Sequence, residues 1–150
     1  MRVKLNVNNQ IISTDVDPNE YLLDTLRNNH FTSVKRGCDS SSCGVCTILI
    51  DNKPVASCTL LTVKAEGHMI TTVEGIQAEA AKLGEYMGHE GADQCGYCNP
   101  SLALTVYALK LENPKASTQD IKEYLVGNLC RCTGYQSQHD AIKDYLEGRK

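Results

Sequence analysis

The sequence predicts an α+β protein with a sheet-rich N-terminal half and a helical C-terminal half. Three observations lead to this fold class. Apolar residues alternate with polar ones in residues 2–16, they recur at helical spacing after residue 77, and the eight cysteines divide four and four between the halves. We place the boundary near Glu74 and Gly75, which gives domains 1–74 and 75–150. A half-chain of about 75 residues buries little apolar surface, so each domain is expected to need a further stabilising element.

The N-terminal domain is predicted to open with a β-hairpin. Residues 2–7 alternate Val3, Leu5 and Val7 with polar side chains, and residues 10–16 form the return strand. Asn8-Asn9 suits the turn between them, because asparagine tolerates a positive φ. A second hairpin is expected at residues 47–50 and 53–57, and a last strand at residues 68–72.

One helix is predicted between the two hairpins. Asp17 has the character of an N-cap, with Pro18 at the first helical position and Glu20 three residues after the cap. The apolar residues that follow, Leu22, Leu23 and Leu26, would form the buried face of this helix.

The C-terminal domain is predicted to contain four helices. The first lies near residues 77–90 and the last near residues 136–147. The second starts at Asn99 and Pro100, since asparagine is a common N-cap and proline is favoured in the first helical turn. The third is capped by Ser117 or Thr118 and is followed by Gly127.

Composition and charge narrow the function classes. The formal net charge is -3, from 15 basic and 18 acidic side chains that are mixed along the chain, so no basic patch favours nucleic acid. The N-terminus lacks an apolar signal region, and the longest apolar stretch, residues 102–109, is too short for a bilayer. We therefore expect a cytoplasmic protein. In that reducing compartment, eight cysteines indicate metal binding or catalysis more than disulfides.

The first four cysteines have the spacing C-x4-C-x2-C-x11-C: Cys38, Cys43, Cys46 and Cys58. A C-x4-C-x2-C run followed by a later cysteine is the plant-type ferredoxin arrangement for a [2Fe–2S] cluster. The surrounding small residues allow a loop to wrap closely around a cluster with its N–H groups directed at the sulfurs. A structural zinc site is the alternative, since paired cysteines also bind zinc.

The second four have the spacing C-x2-C-x31-C-x1-C: Cys95, Cys98, Cys130 and Cys132. The CxxC pair is also typical of thioredoxin-type redox motifs, but those lie near a βαβ pattern and the flanks here are helical. Cys130 and Cys132 could both bind one iron of a two-iron cluster, with Cys95 and Cys98 on the other iron. Zinc is again the alternative.

Taken together, the motifs "KRGCDSSSCGVCTI", "PVASCTLL", "QCGYCNPS" and "GNLCRCTGY" make the chain resemble the small iron–sulfur subunit of the xanthine oxidase family of molybdenum hydroxylases. The resemblance extends over nearly all 150 residues. It implies a plant-ferredoxin-like β-grasp domain followed by a four-helix bundle, each holding a [2Fe–2S] cluster. The ligands would then be the two cysteine sets in chain order.

The resemblance also implies a function. The chain would relay electrons one at a time from a molybdopterin centre in a large partner subunit, through its two clusters, to an FAD subunit. Gln94 and Cys132 would lie near the molybdopterin, with a hydrogen bond at a helix end or within the loop as the alternative role of Gln94. The chain itself would contribute no catalytic residue. Arg131 would neutralise cluster charge or pair across a subunit interface, unless its side chain is simply solvated. In this family the large subunit holds the substrate pocket; an N-heteroaromatic compound such as nicotinate is one candidate.

Three positions depart from the family pattern. Ser41 stands where glycine is usual, so we expect a serine at a positive φ, at some conformational cost. Asn99-Pro100-Ser101 replaces Thr-Pro-Gly, and the segment at residues 136–140 is polar where an apolar helix start is common. Two other function classes remain open on the sequence: a zinc-stabilised interaction module and a free-standing ferredoxin-type carrier.

Overall fold

A computed structural model describes residues 1–149, and its N-terminal domain is built on a mixed sheet of five strands. The strands lie in the order β2-β1-β5-β3-β4; β1 and β5 are parallel and the other neighbours are antiparallel. Asn8, Asn9, Asp51 and Asn52 all have positive φ, which confirms both predicted hairpin turns. The strands are β1 Arg2–Val7, β2 Gln10–Asp15, β3 Thr47–Ile50, β4 Lys53–Ala56 and β5 Met69–Thr71.

Helix α1 covers one face of the sheet, but it is shorter than predicted. It spans Leu22–Asn28, and Leu22, Leu23 and Leu26 are fully buried, as expected. The prediction that Asp17 is its N-cap is wrong, since the N-cap is Tyr21. Asp17 instead closes a separate turn in which its carboxylate accepts the N–H of Asn19 at 2.9 Å. An aspartate side chain offers the backbone this local alternative to a helix, and here the turn is the outcome.

The C-terminal domain is a bundle of four helices: α2 Gln77–His89, α3 Asn99–Glu112, α4 Thr118–Tyr124 and α5 Gln136–Glu147. Ser117 caps α4 through a capping box, because its hydroxyl accepts the N–H of Asp120 and the Asp120 carboxylate accepts the N–H of Ser117. Ile121 and Ile142 lie at the centre of the bundle core and are fully buried. The predicted α+β fold class is therefore confirmed.

The two domains also share buried surface. Helix α3 packs on β3, where Leu49, Ile76, Leu104 and Ala108 form one apolar cluster. Nearby, the half-buried Glu74 carboxylate accepts hydrogen bonds from the hydroxyls of Ser33 and Thr72. The two cysteine sets are thus carried on one continuous framework. Within residues 1–149, none of the helices combines the length and apolar character that a bilayer span requires.

Candidate metal centres

The first cysteine set lies on the loop between α1 and β3 and on a single 3-10 turn after β4. Cys38, Cys43 and Cys46 belong to the loop, and Cys58 lies within the turn Ser57–Thr59. The part of the loop that carries the cysteines, residues 38–46, contains two left-handed residues, Ser41 with a φ of 58° and Gly44 with a φ of 68°. The expected positive φ at Ser41 is therefore confirmed. These two backbone reversals fold the loop back, so that its cysteines approach one another.

Backbone N–H groups point at the sulfurs of this loop. The pKa of Cys38 is lowered to about 6, chiefly by the N–H of Cys43, with the Cys43 thiol and the N–H groups of Ser42 and Ser40 as further causes. Burial raises the pKa of Cys43 and of Cys46, although each also receives a backbone N–H. A loop that directs several N–H groups at sulfur is suited to hold negatively charged thiolates.

The thiols of the first set come in two pairs. The thiol that acts most on the pKa of Cys38 is that of Cys43, and for Cys46 it is that of Cys58. In a two-iron cluster each iron is held by two cysteine sulfurs, so two neighbouring pairs of thiols match that ligand set.

The second cysteine set lies where two loops of the helical bundle meet. Cys95 precedes α3 and Cys98 is its N-cap, while Cys130 and Cys132 lie between α4 and α5. The thiol that acts most on the pKa of Cys98 is that of Cys130, and for Cys132 it is that of Cys95. These neighbours differ from the pairs in the prediction that Cys130 and Cys132 share one iron, and which cysteines share an iron stays a prediction. Sequence spacing does not determine which thiol of a distant loop each cysteine faces; the packing of the two loops does.

Thr133 and Tyr135 hold Cys130 in place. The Thr133 hydroxyl donates to the Cys130 sulfur at 3.2 Å, and the N–H of Cys130 donates to the Tyr135 hydroxyl at 3.1 Å. Although burial raises the pKa of Cys130, the Thr133 hydroxyl and nearby N–H groups bring it below its usual value. Burial, with the neighbouring Cys130, raises the pKa of Cys98 to about 11. Thr133 was not among the residues predicted for this site, and its position directly after Cys132 was the available signal.

The two cysteine sets are connected by a backbone hydrogen bond. The N–H of Leu129, the residue before Cys130, donates to the carbonyl of Cys43 at 2.9 Å. Gly44 lies directly against the backbone of Gly127. A cavity of about 360 Å³ lies beside this contact and is lined by cysteines of both sets. The loop of one domain and the loop of the other are therefore fixed to each other at the point where the two sites approach.

Tyr97 makes a second contact between the domains beside this cavity. Its hydroxyl donates to the carbonyl of Arg36 at 2.8 Å, and the ammonium of Lys35 lies 4.8 Å from the centre of its ring. Arg131 is exposed and borders the same cavity. Gln94, Cys95 and Cys132 are exposed as well. The second site thus has an edge open to solvent, where Gln94 and Cys132 were predicted to meet a partner's cofactor.

Each cysteine set supplies four sulfur donors, the number that a [2Fe–2S] cluster or a structural zinc site takes. Structural zinc needs about four ligands converging on one point. The eight cysteines come instead as four pairs. Two adjacent pairs in each domain are the donor set that a two-iron cluster requires.

Comparison with known proteins agrees with this geometry. Residues 5–75 match a family described as a 2Fe-2S iron-sulfur cluster binding domain, and residues 72–143 match a [2Fe-2S] binding domain. The fold and the paired cysteines thus define a protein with two [2Fe–2S] domains.

Relatives over the full length identify the family. The nicotinate dehydrogenase small FeS subunit of Eubacterium barkeri is 41% identical over 97% of this chain and 94% of its own. The caffeine dehydrogenase subunit gamma of Pseudomonas sp. (strain CBB1) is 42% identical over 94% of this chain and 88% of its own. In quinoline 2-oxidoreductase from Pseudomonas putida 86, one chain superposes with a TM-score of 0.91 at 39% identity, over 99% of this chain and 95% of that one. The chain belongs to the small iron–sulfur subunits of the xanthine oxidase family of molybdenum hydroxylases.

Proposed function

We propose that this chain is the electron-transfer subunit of a cytoplasmic molybdenum hydroxylase, located between a molybdopterin-binding large subunit and an FAD-binding subunit. A [2Fe–2S] cluster, when bound, accepts and returns one electron at a time, which is the chemistry that such a relay needs. The relatives named for nicotinate, caffeine and quinoline support an N-heteroaromatic substrate, such as nicotinate, for the complex.

The eight cysteines are the proposed ligands. Cys38 and Cys43 would hold one iron of the first cluster, with Cys46 and Cys58 on the other. In the helical domain, Cys95 and Cys132 would hold one iron, with Cys98 and Cys130 on the other. The influence of these neighbouring thiols on each other's pKa supports this assignment.

One observation carries the proposal: the backbone hydrogen bond from Leu129 to Cys43. It joins Cys43, a proposed ligand of the first cluster, to the residue directly before Cys130, a proposed ligand of the second cluster. The shared apolar cluster of Leu49 and Leu104 supports the same conclusion, because it prevents the two domains from moving apart. A free-standing carrier would need only the first domain and no such rigid connection.

The exposed edge of the second site supports its orientation in the complex. Gln94 and Cys132 would face the molybdopterin of the large subunit, with Cys132 as the cluster ligand nearest to it. The first site would then face the FAD subunit. A side-chain amide such as Gln94 can both donate and accept hydrogen bonds, which suits recognition of a polar cofactor.

The test is low-temperature EPR of the dithionite-reduced complex, purified without oxygen, together with its iron and zinc content. Two separable [2Fe–2S] signals are expected. Replacing Cys46 by Ser should alter only one signal and replacing Cys98 by Ser only the other, which assigns each signal to a domain. Zinc without iron would establish the interaction module instead. A single signal that Cys46→Ser removes would leave a ferredoxin-type carrier as the function.

A further inference from the structure

Ser41 occupies a backbone position that favours glycine. Its φ is 58°, in the left-handed region that L-residues with a Cβ adopt only at a cost. Glycine would take this conformation freely. The serine therefore gives the backbone no advantage, and what it adds to the loop is its side chain.

That side chain contacts a ligand of the first site. The Ser41 Oγ and the Cys58 Sγ are 3.6 Å apart and form a hydrogen bond, although the residues are 17 positions apart in the chain. In the free thiol the cysteine donates. A cysteine bound to iron is a thiolate and has no proton to donate. The only hydrogen left in the contact is that of the hydroxyl, so Ser41 becomes the donor and the sulfur the acceptor.

We propose that Ser41 raises the reduction potential of the cluster in the N-terminal domain by donating a hydrogen bond to the Cys58 sulfur. Reduction adds one negative charge to the cluster, and part of this charge resides on its sulfur ligands. A hydrogen bond to sulfur stabilises the more negative, reduced state more than the oxidised state. This inference rests on the proposed function, because it requires Cys58 to bind a cluster.

The neighbouring serines provide a matched control. The hydroxyls of Ser40 and Ser42 hydrogen-bond each other at 2.8 Å, so these two side chains are engaged with one another. Their backbone N–H groups, which point at Cys38, are kept in an alanine variant. Ser42→Ala therefore removes a hydroxyl from the same loop without removing the contact to Cys58.

The experiment is an EPR-monitored redox titration of both clusters in the purified complex, for wild type, Ser41→Gly, Ser41→Ala and Ser42→Ala. Ser41→Gly and Ser41→Ala should both shift the midpoint potential of the N-terminal cluster to a more negative value. The helical-domain cluster should keep its potential in all variants, and Ser42→Ala should leave both potentials unchanged. Ser41→Gly should also unfold at a temperature equal to or above that of wild type, because it relieves the left-handed strain.

Two outcomes would overturn the inference: an unchanged potential in Ser41→Gly with its cluster present, or an equal shift in Ser42→Ala. If Ser41→Ala does not retain its cluster, the midpoint potential of Ser41→Gly is the test of the inference. Glycine removes the hydroxyl and also favours the left-handed backbone conformation at this position. Absence of any [2Fe–2S] signal from the N-terminal domain of the wild-type complex would refute the proposed function itself. A normal signal with no shift would refute only the role of Ser41.

Discussion

Replacing Gly44 by Ala tests the close contact between the two cysteine sites. A Cβ at this position would overlap the carbonyl oxygen of Gly127 and lie 3.0 Å from its carbonyl carbon. Both are backbone atoms, so no flexible side chain can move aside. The loops must separate, and the hydrogen bond between Leu129 and Cys43, which spans the same contact, should lengthen or break.

The expected loss of stability has three parts. A left-handed alanine costs about 1–2 kcal/mol, the overlap about 1–3 kcal/mol and the lost hydrogen bond about 1 kcal/mol. Gly67→Ala is the matched control, because Gly67 also has a positive φ, of 85°, but a Cβ there would meet nothing within 4 Å. Gly67→Ala should therefore lose only the stability that a left-handed alanine costs. Gly44→Ala should therefore be less stable than Gly67→Ala by about 2–4 kcal/mol, or roughly 10 °C in melting temperature.

The assay is unfolding of the purified, iron-loaded chain by urea and by heat, followed by far-ultraviolet circular dichroism and by visible absorbance. The first signal reports the helices and the second the metal centres. If Gly44→Ala and Gly67→Ala unfold at the same midpoint, the loops do not touch as described. The proposed rigid connection between the two sites would then lose its main support.

Three further predictions concern packing, capping and pH. Leu104→Ala should cost about 2–5 kcal/mol in urea unfolding, because Leu104 is buried where the domains meet; the exposed Leu111→Ala on the same helix should cost less than about 0.5 kcal/mol. Ser117→Ala should cost about 1 kcal/mol by the same assay, while Ser117→Thr retains most of the stability; equal losses would argue against the cap. The Lys110 ammonium and the Tyr145 hydroxyl lower the pKa of Glu79 in the folded protein. The stability that these two contacts give the fold is therefore complete above the ordinary glutamate pKa and is lost as the pH falls through the lowered pKa of Glu79. As the pH is lowered, the urea midpoint of unfolding should therefore fall more steeply for wild type than for Glu79→Gln. The same dependence of the midpoint on pH in both proteins would contradict the ion pair.

Local features were predictable because neighbouring residues encode them. Asn8-Asn9 and Asp51-Asn52 each form a turn with positive φ, and the strands beside them follow the alternation of apolar residues. The Ser117 cap was likewise predictable from a short stretch of sequence, and the positive φ at Ser41 from the family resemblance. The cysteine spacing indicated two metal centres before any fold was known.

The start of α1 shows where local signals are insufficient. Asp17, Pro18 and Glu20 have the pattern of a helix start, yet the helix begins at Leu22. Tyr21 forms an isolated bridge to Leu61, and the N–H of Leu22 donates to the carbonyl of Leu60 at 2.8 Å. Leu60 and Leu61 lie nearly 40 positions further along the chain, so the helix propensity of the residues around Asp17 could not predict these contacts.

The fold class, the hairpins and the division of eight cysteines into two sets were predictable from the chain alone. They follow from apolar periodicity, turn residues and cysteine spacing, which are all properties of residue order. Three-dimensional packing was needed to establish which thiols are neighbours, the contact of Leu129 with Cys43, and the approach of Ser41 to Cys58. These contacts join segments that lie far apart in sequence. Their geometry follows from the packing of α3 on the sheet and of the two loops on each other, which no short pattern of residues records.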